Sequence, residues 1–261
     1  VVVSRADGEG QQVEEEILEP DRIIIDPHHH FWKQSSWGRY LLDDLWADTG
    51  AGHRVEKTVF LECGAEYLEG GAESLRPVGE NQFVEGLAAE AAAGPPGAAR
   101  VGGIVGNADL RLGAAAEEVL LAHLAASPER FRGIRNGANW DRDLSGSGDD
   151  PRLYLDATFR EGFAKLAPMK LSFDAVLFHP QIPQVTDLAR AFPGTAIILN
   201  HLGGPILGDD DQDTVFAGWK PDISAVAAHP NVVMKLGGIQ MERNGFGWHE
   251  RDEPPSSDEL I

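Results

Sequence analysis

Seven short apolar runs, separated by helix-like segments, constrain the fold of this chain more than any other feature. Strand and helix alternate along the whole sequence, which is typical of a parallel sheet covered by helices. Because the runs are nearly continuous in β-branched and apolar residues, both faces of each strand are expected to be buried. The runs are residues 23–30, 58–63, 101–106, 131–135, 173–179, 196–201 and 232–237, and the main helix-like segments are residues 83–93, 114–126, 158–166, 184–191 and 222–228.

The polar residues that end these runs favour a closed (β/α)₈ (TIM) barrel over an open doubly wound sheet. A dinucleotide-binding sheet carries a glycine fingerprint after its first strand, where this chain has histidines. In a barrel the C-terminal ends of all strands meet at one mouth, so polar side chains from distant strands come together. The residues at these ends are His28, His30, Glu62, Asn107, Arg135, His179, His201 and Lys235.

The strand count is one short of a closed barrel. Eight strands are needed, whereas seven runs are followed by a polar, proline-bearing segment over residues 241–257. We therefore predict an N-terminal arm over residues 1–22 and a single α/β barrel domain over residues 23–261. The eighth strand is expected to lie beyond residue 261, in a chain truncated at its C-terminus, and a strand supplied in another way is the alternative.

The first run leads into three consecutive histidines, His28, His29 and His30. Successive side chains of an extended backbone point to opposite faces, so His28 and His30 share one face and His29 takes the other. Imidazole nitrogens are ligands for zinc and neighbouring first-row metals. The pair is therefore interpreted as two metal ligands, and His29 as a packed or hydrogen-bonded residue behind them. A purification tag and a purely structural cluster are the alternatives.

Composition narrows the class of partner. The formal net charge is −20, from 42 acidic against 22 basic residues, which argues against binding to nucleic acid or to an anionic membrane. A single cysteine, Cys63, excludes an intramolecular disulfide. No apolar stretch is as long as a membrane span, and the start lacks a secretory pattern. We expect a cytoplasmic protein with a small-molecule substrate, and assembly into a homo-oligomer stays open.

Several segments together resemble the amidohydrolase superfamily, in particular its branch of sugar lactonases and a pyrone-dicarboxylate lactonase. The most specific pieces are Asp-Pro-His-His-His-Phe-Trp at residues 26–32 and His-Leu-Gly-Gly-Pro at residues 201–205. Further matching pieces cover nearly the whole chain in the family's order, at residues 103–106, 109–110, 131–135 and 231–238. The resemblance implies a (β/α)₈ barrel hydrolase with its site at the C-terminal ends of the strands.

The resemblance also implies a set of site residues. His28 and His30 match the strand-one ligand pair, His179 the position of a strand-five ligand, and His201 the strand-six histidine. A divalent metal, with zinc as the expected ion, would be held by His28, His30 and His179. The family's aspartate after strand eight has no counterpart in these 261 residues. Some lactonases of this branch act without an ion, so metal-free action stays open.

The predicted activity is metal-dependent hydrolysis of a lactone or related cyclic ester of a small carboxylate or sugar acid. A metal ion lowers the pKa of bound water from 15.7 to about 7, which provides a nucleophile. His201 would stabilise the developing oxyanion or carry a proton. Arg132 and Arg135 suit a substrate carboxylate, because a guanidinium pairs with it through two hydrogen bonds, and Arg135 lies nearer the mouth. For either arginine, an ordinary ion pair is the alternative.

Three further side chains are expected near the substrate. Glu62 and Lys235 are costly to bury unpaired, so each is predicted to be partnered or functional, Glu62 in catalysis and Lys235 in substrate binding. Trp32 is expected to wall the pocket, although core packing is the alternative. His123 falls in a helix-like segment and is predicted to lie at the surface.

Two other functions stay open. One is a metal-dependent decarboxylase of a small unsaturated acid, since the resemblance extends to members that use the same histidines for loss of carbon dioxide. The other is a non-catalytic barrel that binds a small anion or a metal.

Overall fold

Seven parallel strands form one curled sheet in the computed structural model, which describes residues 17–36, 38–142, 148, 150–207, 211–253 and 255–256. The strand order is β1 to β7, so each strand pairs with its neighbours in sequence. Sequential parallel order is the arrangement of a (β/α)₈ barrel, and the predicted barrel with one strand fewer is confirmed. The strands are β1 (Ile23–His29), β2 (Arg54–Leu61), β3 (Arg100–Asn107), β4 (Phe131–Arg135), β5 (Ser172–Ala175), β6 (Ile197–Leu199) and β7 (Val232–Met234). Most of the predicted N-terminal arm, residues 1–16, lies outside the described residues.

Helices occupy the connections between consecutive strands. The two longest are one of 16 residues before β7 and one of 15 residues before β3. No helix in the described ranges is both long enough and apolar enough to cross a membrane. The helices are α1 (Leu42–Thr49), α2 (Val78–Ala92), α3 (Ala116–Ala126), α4 (Ala157–Phe163), α5 (Ile182–Ala191) and α6 (Gln212–Ala227).

Several elements differ from the sequence-based prediction. β5 ends at Ala175, so His179 lies in a short 3₁₀ turn, His179–Gln181, and not at the end of a strand. The helix α1 was not predicted. α6 begins at Gln212, ten residues before the predicted start at residue 222, and it contains Pro221. A proline inside a helix removes a backbone hydrogen bond, which is why the pattern indicated a start after it.

The core consists of two clusters that support the strands from outside. The larger lies under β4, β5 and β6, where Phe159, Phe163, Phe173 and Tyr154 are fully buried. Phe163 and Phe173 pack edge to face, with ring centroids 5.0 Å apart, a geometry that aromatic pairs prefer. The smaller cluster packs β2, β3 and Phe31, which follows β1, against α1 and α2. The strand ends therefore project from a packed, rigid base.

His123 belongs to this packing, and the prediction that it lies at the surface is wrong. Its side chain is fully buried, and its ring stacks on Phe131 with centroids 4.8 Å apart. The two ring nitrogens have partners, because Nε2 lies 2.9 Å from the Asn107 carbonyl and Nδ1 lies 3.2 Å from the Asn81 side-chain amide. A satisfied imidazole can replace an apolar residue in a core, so helical position alone did not reveal it.

The curl of the sheet brings its two edge strands towards each other. Lys235, directly after β7, reaches His28 of β1, with 3.4 Å between Nζ and Nδ1. On the same edges, large apolar side chains are exposed, including Ile23 and Ile25 of β1 at 56% and 58% and Val233 of β7 at 62%. These side chains lie on the two edge strands, which leave a seam between β1 and β7 in the described part of the sheet.

A buried carboxyl group holds the loop that follows β2. Glu80, in the first turn of α2, is only 1% exposed. Its Oε1 accepts hydrogen bonds from the backbone N–H groups of Cys63, at 3.0 Å, and Ala65, at 2.8 Å. Burial raises the pKa of Glu80 from 4.5 to about 7, because removal from water disfavours the charged form.

Replacement of Glu80 by glutamine should flatten the pH dependence of stability. Between the unfolded pKa of 4.5 and the folded pKa of about 7, the native state holds a proton that the unfolded chain releases. The free energy of unfolding therefore falls as pH rises through this window, by at most about 3 kcal/mol. Glu80→Gln keeps the Oε1 acceptor and removes the titration. Urea unfolding at about pH 5 and about pH 8 measures the slope.

The matched control is Glu90→Gln, which changes an exposed carboxylate on the same helix. This variant should keep the wild-type slope. Equal slopes in wild type and Glu80→Gln would contradict the assignment.

Candidate active site

A cavity of about 720 Å³ lies inside the curled sheet. Apolar residues of the strands form much of its wall. Its charged and imidazole-bearing lining residues are Asp26, His28, Arg132, Asp174, His201 and Lys235. These residues come from β1, β4, β5 and the segments after β6 and β7, so the sheet brings together side chains that are far apart in sequence.

The histidines at the end of β1 form a close pair. The Nε2 atoms of His28 and His30 are 3.3 Å apart, and the ring centroids are 5.0 Å apart. His30 Nδ1 lies 2.8 Å from the Leu61 carbonyl oxygen. A carbonyl only accepts, so this nitrogen carries the proton and donates. Burial lowers the pKa of His30 to about 4, so its ring is neutral and its Nε2 presents a lone pair.

His29 points away from the pair, as predicted. It is buried, and its Nε2 lies 3.0 Å from the hydroxyl oxygen of Thr58 on β2. Its ring also contacts Phe31 edge to face, with centroids 4.6 Å apart. The alternation of the strand therefore separates a packing residue from the two site residues.

His201 joins the pair from the end of β6. Its ring centroid lies 4.7 Å from that of His28. Its Nδ1 lies 3.1 Å from the Gly237 carbonyl oxygen and must donate, which leaves Nε2 with a lone pair. Burial lowers the pKa of His201. The backbone here is strained, because His201 and Leu202 have φ of +52° and +56°, a region that costs a non-glycine residue about 1–3 kcal/mol.

Lys235 is a buried cation of the site, and it is partnered as expected. Its side chain is 10% exposed and that of Asp174 is 2% exposed, and 2.7 Å separates Nζ from Oδ1. The same carboxylate oxygen accepts from the Asn200 side-chain amide at 2.9 Å. Lys235 Nζ also lies 3.4 Å from Nδ1 of His28. Burial lowers the pKa of Lys235, and the neighbouring carboxylate opposes that shift.

Glu62 and Arg135 are partners of each other. Arg135 Nε donates to Glu62 Oε1 at 2.6 Å, and the side chains are 12% and 15% exposed. The arginine also donates to the Glu62 carbonyl. Burial lowers the pKa of His28, and the charge of Arg135 contributes to that shift and to the lowered pKa values of His30 and His201. The charged side chains of Glu62 and Arg135, both predicted at strand ends, therefore pair with each other.

The remaining predicted residues occupy other places. Trp32 stacks on His30, with centroids 5.7 Å apart and planes inclined by 26°. Arg132 lines the cavity near the N-terminal end of β4, where it donates to the Phe131 carbonyl at 3.0 Å. His179 Nδ1 accepts from the backbone N–H of Ile206 at 3.3 Å. Substrate or metal contacts of these three residues stay predictions.

The fit to a divalent metal is incomplete. Two nitrogens bound to one tetrahedral zinc, each about 2.0–2.1 Å from it, lie about 3.3–3.4 Å apart, which matches the Nε2 separation of His28 and His30. However, the part of the chain that the structure describes contains no group of three or more His, Cys, Asp or Glu side chains placed to hold a metal. His28, His30 and His179 do not form such a group in this arrangement.

Sequence reasoning missed three site residues. Asp174 lies within a predicted apolar strand, and a lone carboxylate in such a run is a signal that could have revealed it. Asn200 directly precedes His201 and anchors Asp174. Asp26 lines the cavity and accepts a hydrogen bond from the His28 backbone N–H at 3.0 Å. Burial raises the pKa of Asp26.

Comparison with known proteins shows similar chains. The sequence profile of a family described as Amidohydrolase matches residues 25–261. An uncharacterized protein of Sinorhizobium fredii is 30% identical, over 92% of this chain and 80% of that protein. An L-fucono-1,5-lactonase of Burkholderia multivorans is 28% identical, over 84% of this chain and 69% of that protein. The structure of an amidohydrolase from Burkholderia multivorans with bound zinc superposes with a TM-score of 0.62 at 26% identity, over 84% of this chain and 70% of that one.

Gly238 lies so close to the His201 ring that a larger residue there would collide with it. Gly238 has φ of +89°, and a Cβ added there would lie 2.3 Å from His201 Nδ1. Gly238→Ala should therefore displace the imidazole from the Gly237 carbonyl and destabilise the fold by about 1–3 kcal/mol. Urea unfolding measures the stability, and the ¹⁵N shifts of the His201 ring report its hydrogen bond.

The adjacent Gly237 provides the control. A Cβ added at Gly237 meets nothing within 4 Å, so Gly237→Ala should leave the ring shifts of His201 unchanged. Identical effects of the two substitutions would refute the steric argument.

Proposed function

The chain belongs to the amidohydrolase family, and from this premise we propose that it hydrolyses a lactone, the cyclic ester of a small hydroxy acid or sugar acid. The observation that carries the proposal is the convergence of an acceptor imidazole, His201, and a buried ammonium, Lys235, on one cavity. A relative named L-fucono-1,5-lactonase supports this substrate class.

His201 is the proposed general base. Its Nδ1–H is held by the Gly237 carbonyl, so Nε2 is the basic nitrogen. A neutral imidazole in this tautomer takes a proton from water but has no proton on Nε2 to offer an oxyanion. Of the two roles predicted for His201, proton transfer therefore suits its geometry.

Lys235 is proposed to stabilise the oxyanion. An ammonium has three N–H donors, and two of them are directed to Asp174 and His28. The third is available to the carbonyl oxygen of a substrate in the cavity that Lys235 lines. A buried positive charge stabilises developing negative charge more strongly than one in water.

The proposed reaction has two steps. In the first, water attacks the lactone carbonyl carbon while His201 Nε2 takes one proton, and the carbonyl oxygen becomes an oxyanion beside Lys235. In the second, the C–O bond of the ring breaks, and the leaving oxygen receives the proton from His201 Nε2. The product is the open-chain hydroxy acid, and the base is restored.

Arg135 and Glu62 are proposed to orient the substrate. Glu62 holds the guanidinium through Nε and the carbonyl contact, and the remaining N–H groups suit a substrate carboxylate or hydroxyl. Arg132 and Trp32 are the other proposed substrate contacts. The zinc ion predicted on His28, His30 and His179 stays a prediction, and no step above depends on it.

The test measures turnover of a panel of aldono-1,4- and aldono-1,5-lactones. A pH indicator detects the protons that hydrolysis releases. We expect His201→Asn to lower kcat/KM by at least about 100-fold, since a positioned general base contributes about 10²–10⁴-fold. The matched control is His53→Asn, an exposed histidine directly before β2, at the opposite end of the barrel. This variant should retain wild-type turnover.

Product analysis separates the proposal from its alternatives. Release of one acid equivalent without gas supports hydrolysis. Evolution of carbon dioxide from small unsaturated acids, with no lactone turnover, would instead indicate a decarboxylase. Binding without any turnover would indicate a barrel that only binds its ligand.

A further inference from the structure

Lys235 contacts the histidine pair from behind, on the nitrogen opposite to the one that faces His30. Its Nζ lies 3.4 Å from His28 Nδ1, and the His28 Nε2 lies 3.3 Å from the His30 Nε2. Both distances are at the long end for hydrogen bonds. The two contacts make His28 the link between a buried ammonium and the second imidazole.

An ammonium decides the protonation pattern of the ring that it faces. Lysine has three donors and no acceptor, so the ring nitrogen beside it must present a lone pair. The Asp174 carboxylate, 2.7 Å from Nζ, stabilises the charged form of Lys235. His28 Nδ1 is therefore the acceptor, and in a neutral ring the proton sits on Nε2.

The tautomer of His30 follows from an independent contact. Its Nδ1 donates to the Leu61 carbonyl, so its Nε2 carries the lone pair. The proton on His28 Nε2 thus faces the lone pair on His30 Nε2. Every contact from Asp174 through Lys235, His28 and His30 to Leu61 then pairs one donor with one acceptor.

A divalent metal requires a different pattern. Each histidine ligand must offer an unprotonated nitrogen to the ion. The separation of 3.3 Å between the two Nε2 atoms suits both a hydrogen bond and a pair of ligands on one tetrahedral ion, so distance does not distinguish the two states. The proton on His28 Nε2 does distinguish them, because it occupies the place of the metal.

We propose that Lys235, held by Asp174, is a positioning residue that fixes His28 in its Nε2–H tautomer and thereby opposes divalent metal binding by the His28–His30 pair. The inference goes beyond the proposed hydrolysis, because it concerns the metal affinity of the pair and holds for any substrate.

Metal titration of a double variant tests the proposal. Lys235→Met alone would leave the Asp174 charge buried and unpaired, so the variant is Lys235→Met with Asp174→Asn. The asparagine keeps Oδ1 as the acceptor for Asn200. With the ammonium removed, His28 is free to move its proton to Nδ1. We expect the double variant to bind Co²⁺ at least tenfold more tightly than the wild-type protein does. The visible absorption of Co²⁺ measures its binding.

Two further variants make the titration specific. Addition of His30→Ala to the double variant should abolish the gain, since one of the two nitrogens is lost. Lys165→Met with Glu117→Gln removes an exposed lysine–glutamate pair with 2.9 Å between charged atoms and should leave Co²⁺ affinity at the wild-type value. Equal affinity of wild type and the Lys235/Asp174 variant would overturn the proposal.

A second measurement needs no substitution at the ion pair. In wild-type protein freed of metal, a long-range ¹H–¹⁵N correlation spectrum distinguishes the two neutral tautomers of each histidine. The His28 signals, assigned by their loss in His28→Gln, should show the proton on Nε2. A proton on Nδ1 would refute the inference even if the double variant fails to fold. Neither readout uses turnover, so absence of lactonase activity would contradict only the proposed function.

Discussion

The site depends on the contacts of a buried lysine whose side chain reaches across the interior of the sheet. Lys235 follows β7, yet its ammonium contacts Asp174 of β5 and His28 of β1. A charge removed from water costs several kcal/mol unless it is paired and hydrogen-bonded. The carboxylate of Asp174, itself held by Asn200, offsets that cost. One ion pair therefore connects three strands across the cavity and sets which nitrogen of His28 carries a proton.

The backbone around His201 shows how the scaffold supports the chemistry. Two consecutive residues, His201 and Leu202, adopt positive φ, and the Leu202 N–H donates to the Lys235 carbonyl at 3.0 Å. Strain of this kind persists only where surrounding contacts enforce it. The segment after β7 thus contributes twice, with a side chain in the cavity and a carbonyl that holds the neighbouring loop. Because Gly237 also accepts from His201, the last two strands orient the proposed base.

Much of the fold was predictable because its signals are local. Strands buried on both faces are apolar throughout, and the two-residue period placed His28 and His30 on one face. The sequence-based predictions were wrong where tertiary contacts, and not the local hydrophobic pattern, determine the structure. The run at residues 173–179 is apolar because Leu177 and Phe178 are buried beyond the end of β5, not because the strand continues. Asp174 was missed because its partner Lys235 is 61 positions away.

The seven strands, their order and the residue types at the mouth could be predicted from the amino-acid sequence, since hydrophobic pattern and strand period act over a few neighbouring residues. Which of those residues are partners depends on the folded arrangement. It paired Glu62 with Arg135 and Lys235 with Asp174, and it placed Lys235 against a histidine 207 positions earlier. Proton positions on an imidazole depend on the atoms within hydrogen-bond distance, and curvature of the whole sheet alone brings those atoms together.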